Sequence, residues 1–332
     1  MLLTREDIYM KKLISTITTA VIALSALTAC NAVPQEDNVK VRIGSLSGPT
    51  TIGIINLMDD VNNGTVDADY EFTVATQPDE IAAALNAGDL DIALIPANLA
   101  AVLYNRTEGG IRVIDINTYG VLYCITSDTS ITSVSDLSGK TVIKTGQCAT
   151  PEYAMNYLLE QYGVTDCTLD FKTEGAEVVA ALGQDPSLIA VLPQPAATAA
   201  MVQNPDLQIA FSLDDAWNEV TSDSRLVTGV TVARTEFIEA HPNAIASFEV
   251  YHHNSVIEIE NNLDATAQLV VDQGIVGALP VAQRAIPLCN IDSVNGAQMR
   301  SELESYLQTL YDANPESVGG AMPGEDFYYT GS

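Results

Sequence analysis

The stretch IALIPANLAA, residues 92–101, runs four apolar residues into a proline and then into a helix-like series. About a hundred residues later the chain reads IAVLPQPAATAA, residues 189–200, nearly the same phrase. A short apolar run closed by a turn signal reads as a buried strand, and proline ends it by removing an N–H that a continuing sheet would use. The surroundings of the two phrases match as well. Gly48 to Pro96 spans 48 residues and Gly146 to Pro193 spans 47. In each interval a glycine loop opens a helix, a strand and a helix follow, and a last strand stops at proline. A period this long, present twice, fits two similar lobes better than a repeat array.

Working outward, the pattern alternates strand and helix, the signature of a covered, largely parallel sheet. VRIGSL (41–46), YEFTVAT (70–76) and DIALI (91–95) read as strands of the first half, and GKTVIKTG (139–146), TLDFKT and LIAVL as strands of the second. Ile52, Ile55 and Met58 fall on one face of a helix after the first strand. Pro78-Asp79-Glu80 opens another helix with acidic residues in its first turn, and Gly88 closes it. Thr150-Pro151-Glu152 is a capped start with proline at the first helical position. Two long β-type runs, IRVIDINTYGVLYCIT (111–126) and RLVTGVTVART (225–235), are interrupted at Thr118-Tyr119-Gly120 and Thr228-Gly229. Each is long enough to leave one sheet and enter the next, as hinge segments do. Four helices are expected after the second crossing, at 242–261, 265–274, 280–288 and 298–311, packed on the first lobe. The expected division is 39–118 plus 229–332 for lobe I and 119–228 for lobe II.

The first residues have a separate character. Met10-Lys11-Lys12 is a positive start, and residues 13–29 are apolar and small, ending in Leu27-Thr28-Ala29-Cys30. This is read as a lipoprotein signal peptide over 1–29, with Met10 as its start and Cys30 as the lipidated residue. Residues 30–38 form a polar tether. Of the whole chain, 14 residues are Lys or Arg and 43 are Asp or Glu, a net charge of −29. Removing residues 1–29 takes away three basic and two acidic residues and leaves the balance about as acidic. Such a body lacks the basic footprint of a nucleic-acid binder. It also leaves the lipid, rather than surface charge, as the membrane attachment. Cys124, Cys148, Cys167 and Cys289 match no zinc or redox spacing. They either pair in disulfides or stay as free thiols, the latter suggested by the apolar run around Cys124.

Ligands of α/β sheets sit beyond the carboxyl ends of the strands, where helix N-termini converge. The candidate binding residues are therefore Ser47, Gly48, Pro49, Thr50 and Thr51; Thr76 and Gln77; and Pro96, Ala97 and Asn98. In the second half they are Gly146, Gln147, Cys148, Ala149 and Thr150, then Gln194 and Pro195. Thr228 lies at a crossing. Thr50 and Thr150 either cap their helices or meet a ligand. Tyr119 either stacks on a ligand or packs in the interior. Trp217 reads as part of a polar loop, Asp214 and Asp215 as solvated charges, and Phe327-Tyr328-Tyr329 as a docked tail.

Catalytic patterns are thin. GSLSG at 44–48 places Leu46 where a nucleophilic serine would stand, no lysine follows a serine by three, and no GxxxxGK[ST] occurs. His252 and His253 sit mid-helix without a partner one turn away and read as exposed or capping. No metal or cofactor is expected, and the chain is expected to be a monomer and not an enzyme.

The lipobox, VRIGSLSGPT, AGDLDIALIPAN and DLSGKTVIKTG together resemble the solute-binding lipoproteins of ABC importers, nearest the nitrate, sulfonate and taurine group. The resemblance spans 39–332. It implies a type II periplasmic-binding-protein architecture: an α/β fold of two lobes, two crossing strands as hinge, and C-terminal helices on the first lobe. It also implies a small-molecule solute, permease and ATPase partners, and an extracytoplasmic, lipid-anchored location. In that family the first glycine loop, the Pro96–Asn98 turn and the Gly146–Thr150 loop line the cleft. Lys144 is the only basic residue near such a loop, which favours a neutral or weakly anionic organic solute over nitrate or sulfate. Two other readings carry over. One is an enzyme of the same fold, of the kind found in pyrimidine or menaquinone biosynthesis; the other is a sensory binding module.

Overall fold

The computed structural model describes residues 39–147, 149–221 and 224–331. The proposed signal peptide, Cys30, its tether and Cys148 therefore lie outside the described residues.

The elements in chain order are β1 (Val41–Leu46), α1 (Pro49–Gly53), α2 (Ile55–Asn63), β2 (Tyr70–Ala75), α3 (Pro78–Ala87), β3 (Ile92–Pro96) and α4 (Ala97–Arg106). Then come β4 (Ile111–Thr118), β5 (Leu122–Thr126), β6 (Thr141–Lys144), α5 (Thr150–Gln161), β7 (Thr168–Phe171), α6 (Gly175–Gln184), β8 (Ile189–Pro193), α7 (Ala196–Gln203), β9 (Gln208–Ser212) and α8 (Leu213–Val220). The chain finishes with β10 (Gly229–Arg234), α9 (Thr235–Ala240), α10 (Pro242–Asn261), α11 (Leu263–Asp272), α12 (Leu279–Ala285), β11 (Ile291–Asn295) and α13 (Gly296–Ala313).

The strands form two sheets, ordered β11-β4-β10-β3-β1-β2 and β7-β6-β8-β5-β9. Each has a three-strand parallel core, β2-β1-β3 in one and β7-β6-β8 in the other. Antiparallel strands extend both, so the sheets are mixed rather than largely parallel. The two opening phrases hold equivalent places as β3 and β8. Their side chains alternate between cores: Ala93 and Ile95, with Ile189 and Val191, face one apolar cluster that runs through both sheets. Ile92 and Leu94 face a second cluster under α1, α2 and α10, while Ala190 and Leu192 face a third under α6 and α7. Burial on both faces explains why these strands read as continuous apolar runs.

The first long β run changes sheets as expected, with β4 in one sheet, β5 in the other and Tyr119–Val121 between them. The second differs: only Gly229–Arg234 is strand, and residues 224–228 are irregular. The helix after β1 is also broken, ending at Gly53 and restarting at Ile55, so Ile52, Ile55 and Met58 do not share one regular helical face, though all three are buried. Strands β9 and β11 were not read from the sequence.

Three further expectations, those for Trp217, Asp214 and His252, need correcting. Trp217 is fully buried on the amphipathic helix α8 and not in a loop, and Asp214 beside it is also buried. His252 is fully buried and its Nδ1 lies 3.0 Å from Asp115 Oδ2, a partner on β4 that helical spacing could not reveal. The C-terminal helices pack on the first lobe as expected, α10 and α11 against α2 and α13 against β4, and they also reach the second, with α12 on α7 and α13 on α5. Of the two readings left open for the cysteines, Cys124, Cys167 and Cys289 take that of free thiols, the first and last buried. The tail does dock: Phe327 is buried against Tyr104, and Tyr329 N–H donates to Val113 O at 2.9 Å.

Candidate functional site

Each proline turn is tied to a crossing segment. Pro96 pairs with Gly229, and the N–H of Ala97 donates to Thr228 O at 3.1 Å. Thr228 N–H in turn donates to Thr118 O at 3.0 Å, joining both crossings. On the other sheet Pro193 pairs with Leu122, and Gln194 N–H donates to Val121 O at 2.9 Å. A turn that ends a strand thus also anchors the segment that links the sheets, so rim and hinge are one piece of backbone.

Beyond the turns the rims meet. Asn98 in the first turn of α4 accepts a hydrogen bond at 2.8 Å from the hydroxyl of Thr150, in the first turn of α5. The Asn98 amide donates on its other side to Ser317 O at 3.4 Å. Both side chains are buried. Next to Thr150 lies the hydroxyl of Tyr306, a fully buried residue of α13.

Gln194 is also buried, and its orientation is fixed. Its Oε1 accepts from Thr198 N at 3.2 Å and from Thr198 Oγ1 at 2.7 Å, which leaves Nε2 as a donor with no partner among the described residues. Pro195 follows through a cis peptide and precedes α7. The Thr228 hydroxyl is likewise buried, with no hydrogen-bond partner among the described residues. A buried polar group left unsatisfied costs about 1–3 kcal/mol, so two of them beside the hinge call for a partner.

The first glycine loop is held differently. Gly48 sits at φ 136°, which only glycine adopts readily. Ser47 N–H donates to Ala75 O, and Pro49 starts α1. The hydroxyls of Thr50 and Thr51 turn back to Leu46 O, and Thr51 also meets Ser45 Oγ at 2.8 Å. Neither caps a helix by side chain. Thr50 reaches the second crossing, since a Cβ added at Gly229 would stand 3.1 Å from its methyl group. In the matching loop of the other lobe, Gly146 at φ 79° packs on Pro151, Ala149 precedes α5, and Gln147 is exposed. Thr76 and Gln77 are exposed beyond the edge strand β2, following Ala75, whose carbonyl accepts from Ser47 N–H.

Tyr119 is buried, its hydroxyl donating to Glu302 and its ring covered by the Arg225 guanidinium, 3.4 Å from the ring centroid. Of the two readings open from sequence, these contacts favour packing. Lys144 is fully buried and donates to Pro151 O, beside the rim residue Thr150. Burial lowers its pKa to about 7, against the attraction of Glu152. Desolvation likewise raises the Asp214 carboxyl to about 6, with Arg225 opposing and Asp215 reinforcing the shift.

Sequence reading missed the ring contacts that close this side. Trp217 of α8 lies 5.6 Å from Tyr306 and 4.6 Å from Tyr157. The signal for Tyr306 was present in the series Met299, Leu303, Tyr306, Leu307 and Leu310, all buried on α13. Nothing local marked Arg225 or Ser317. A cavity of about 400 Å³ lies between α10, α11 and the segment Ile286–Ile291, lined by none of the candidate rim residues.

Residues 55–245 match the family model of the periplasmic substrate-binding protein of phosphonate ABC transporters, more than half of the chain. The chain belongs to this family. A member of it is the extracytoplasmic substrate-binding component of an ABC transporter, working with a permease and an ATPase on a small-molecule solute. No curated protein matches the sequence significantly.

Solved structures support the fold of this substrate-binding protein. An ABC transporter protein from Parabacteroides distasonis aligns at TM-score 0.75 and 20% identity, over 88% of this chain and 99% of its own. The periplasmic aliphatic sulphonate binding protein SsuA of Escherichia coli aligns at 0.70 and 13%, over 88% and 92%. The alkanesulfonate-binding protein SsuA of Xanthomonas axonopodis pv. citri, bound to MOPS, aligns at 0.64 and 11%, over 84% and 94%. The substrate-binding protein therefore has the periplasmic-binding-protein fold expected from its sequence. Among the described residues no helix is long and apolar enough to cross a membrane.

Proposed function

We propose that this substrate-binding protein captures a small organic solute, neutral or weakly anionic, between a lobe of residues 39–118 plus 229–332 and a lobe of residues 119–228. The observation that carries the reading is the Thr150–Asn98 hydrogen bond, which sets the two rims face to face. The solute would meet amides and hydroxyls: Asn98 and Thr150 at the rims, Gln194 Nε2 and Thr228 Oγ1 at the hinge, and the Thr50 segment against the second crossing. No guanidinium belongs to this set, and the Lys144 amine of β6 is engaged by Pro151 O in the first turn of α5, which favours a solute of low charge. Contacts from both lobes stabilise the closed form over the open one, and the permease reads the closed form. Micromolar affinity, about −8 kcal/mol, allows both capture and release.

The relatives named for sulfonates and phosphonates make those groups the first to try. A thermal-shift panel of sulfonates, phosphonates, carboxylates, amino acids and pyrimidines tests the reading. One class should raise the melting temperature saturably, and that rise should vanish in Gln194→Ala. A panel with no saturable shift would count against solute capture. The anchor is a separate proposal: Cys30 carries the lipid after removal of residues 1–29. Metabolic labelling with a clickable fatty acid should mark the wild type and not Cys30→Ala, and equal labelling of both would exclude it.

A further inference from the structure

We propose that the cavity behind the hinge is a second small-molecule site, one that takes a short aliphatic chain ending in an amine and is coupled to the crossing segment. Its volume, about 400 Å³, falls in the range of small-ligand pockets. Ile259, Leu263, Ile286 and Ile291 supply apolar wall, while Glu260 and Asn290 supply polar groups. Among the described residues Glu260 is the only charged one in the lining, so a positive end on the guest is complementary and a carboxylate is repelled. Ile259 and Ile286 are themselves almost fully buried, so the wall is part of the first lobe's core and not a loose surface fold.

The link to the hinge is Asn290. It adopts φ 46°, a left-handed conformation that asparagine tolerates better than most residues. In that shape its carbonyl accepts from Tyr119 N–H at 3.0 Å and its amide donates to Gly120 O at 2.5 Å. Two residues before it, Leu288 O accepts from the Tyr123 hydroxyl at 2.9 Å. One wall of the cavity is therefore bonded to the residues that lead from the first sheet to the second. A guest that shifts Asn290 moves the bonds on Tyr119 and Gly120.

Hexylamine, hexanol and hexanoate are the probes, read by NMR of isoleucine methyls and of the Gly120 amide in the whole protein. Hexylamine should shift the methyls of Ile259, Ile286 and Ile291 saturably, with the Gly120 amide moving in step. It should bind about fivefold tighter than hexanoate, the discrimination one partly exposed ion pair supplies. Glu260→Gln should abolish that preference while leaving hexanol binding unchanged. Leu263→Trp, and independently Ile259→Phe, should fill the cavity and remove the methyl shifts. Absent methyl shifts, equal binding of amine and carboxylate, or a Gly120 amide that stays still while the methyls saturate would each overturn the proposal. None of these readouts requires the solute of the main cleft.

Discussion

Thr150 Oγ1 donates to Asn98 Oδ1 at 2.8 Å, joining the first turns of α5 and α4 across the two lobes. The residues are 52 apart in sequence and sit in the loop or turn that each half of the duplicated pattern offers its partner. With both side chains buried, the bond is protected from competing water, and removing one partner strands the other.

Thr150→Val should therefore lower stability by about 1–3 kcal/mol, because Asn98 loses its donor. A double-mutant cycle with Asn98→Ala, measured by urea unfolding, should give a coupling of at least about 0.5 kcal/mol. Additive effects would mean that the rims do not interact in solution.

Asp91 anchors the far end of β3. Its carboxylate is buried and takes hydrogen bonds from Arg42 Nη2 at 2.7 Å and Arg234 Nη2 at 2.8 Å, clamping β1, β3 and β10. Burial alone would raise its pKa, but the two arginines outweigh that and hold the carboxyl below its usual range. A carboxyl depressed on folding contributes stability that is full above its unfolded pKa and fades as pH falls through the folded value. Asp91→Asn should cost about 3 kcal/mol at neutral pH and should flatten the loss of stability below about pH 4. Unfolding curves at pH 7 and pH 3.5 decide it.

Lys144 works with the opposite charge. Its folded pKa, about 7, lies below that of an unfolded lysine, so the folded protein binds fewer protons between the two values. Stability should rise with pH across that window relative to Lys144→Met, which lacks the titrating group. Urea unfolding of both proteins between pH 7 and 8.5 should show the difference shrinking as pH rises. A constant difference would mean that the amine stays charged.

Trp217 is the only tryptophan in the chain and lies fully buried against Tyr157 of its own lobe and Tyr306 of the other. Its emission should be that of a buried indole and should change saturably when a solute alters the lobe contact. Trp217→Ala should cost about 3–5 kcal/mol. A solvent-exposed emission maximum in the native protein would contradict the packing.

What the sequence made legible was the part written in contiguous residues. The apolar runs at 92–95 and 189–192 gave both central strands, because burial on two faces leaves no polar alternation to confuse. The prolines after them marked the turns, and the interruption around Tyr119 marked a crossing. Other features depend on partners distant in the chain. His252 read as exposed because Asp115 is 137 residues away. LDDAWNEV looked like a loop because four polar residues mask Leu213, Ala216, Trp217 and Val220, the spacing of one helical face. Its cap was visible in principle: Ser212 Oγ accepts from Asp214 N and Asp215 N. Within the candidate site, Asn98, Thr150, Gln194 and Thr228 were legible as turn and loop residues, whereas Tyr306 and Ser317 reach the rims only through the return of the C-terminal helices.

The measurement that bears most directly on solute capture is calorimetric titration of the wild type, Asn98→Ala, Thr150→Val and Gln194→Ala with whichever solute the thermal-shift panel selects. One-to-one binding near micromolar in the wild type, weakened about tenfold or more by changes in either lobe, is the expected result. One-to-one binding with undiminished affinity in all three variants would place the solute elsewhere and contradict a cleft formed by these rims.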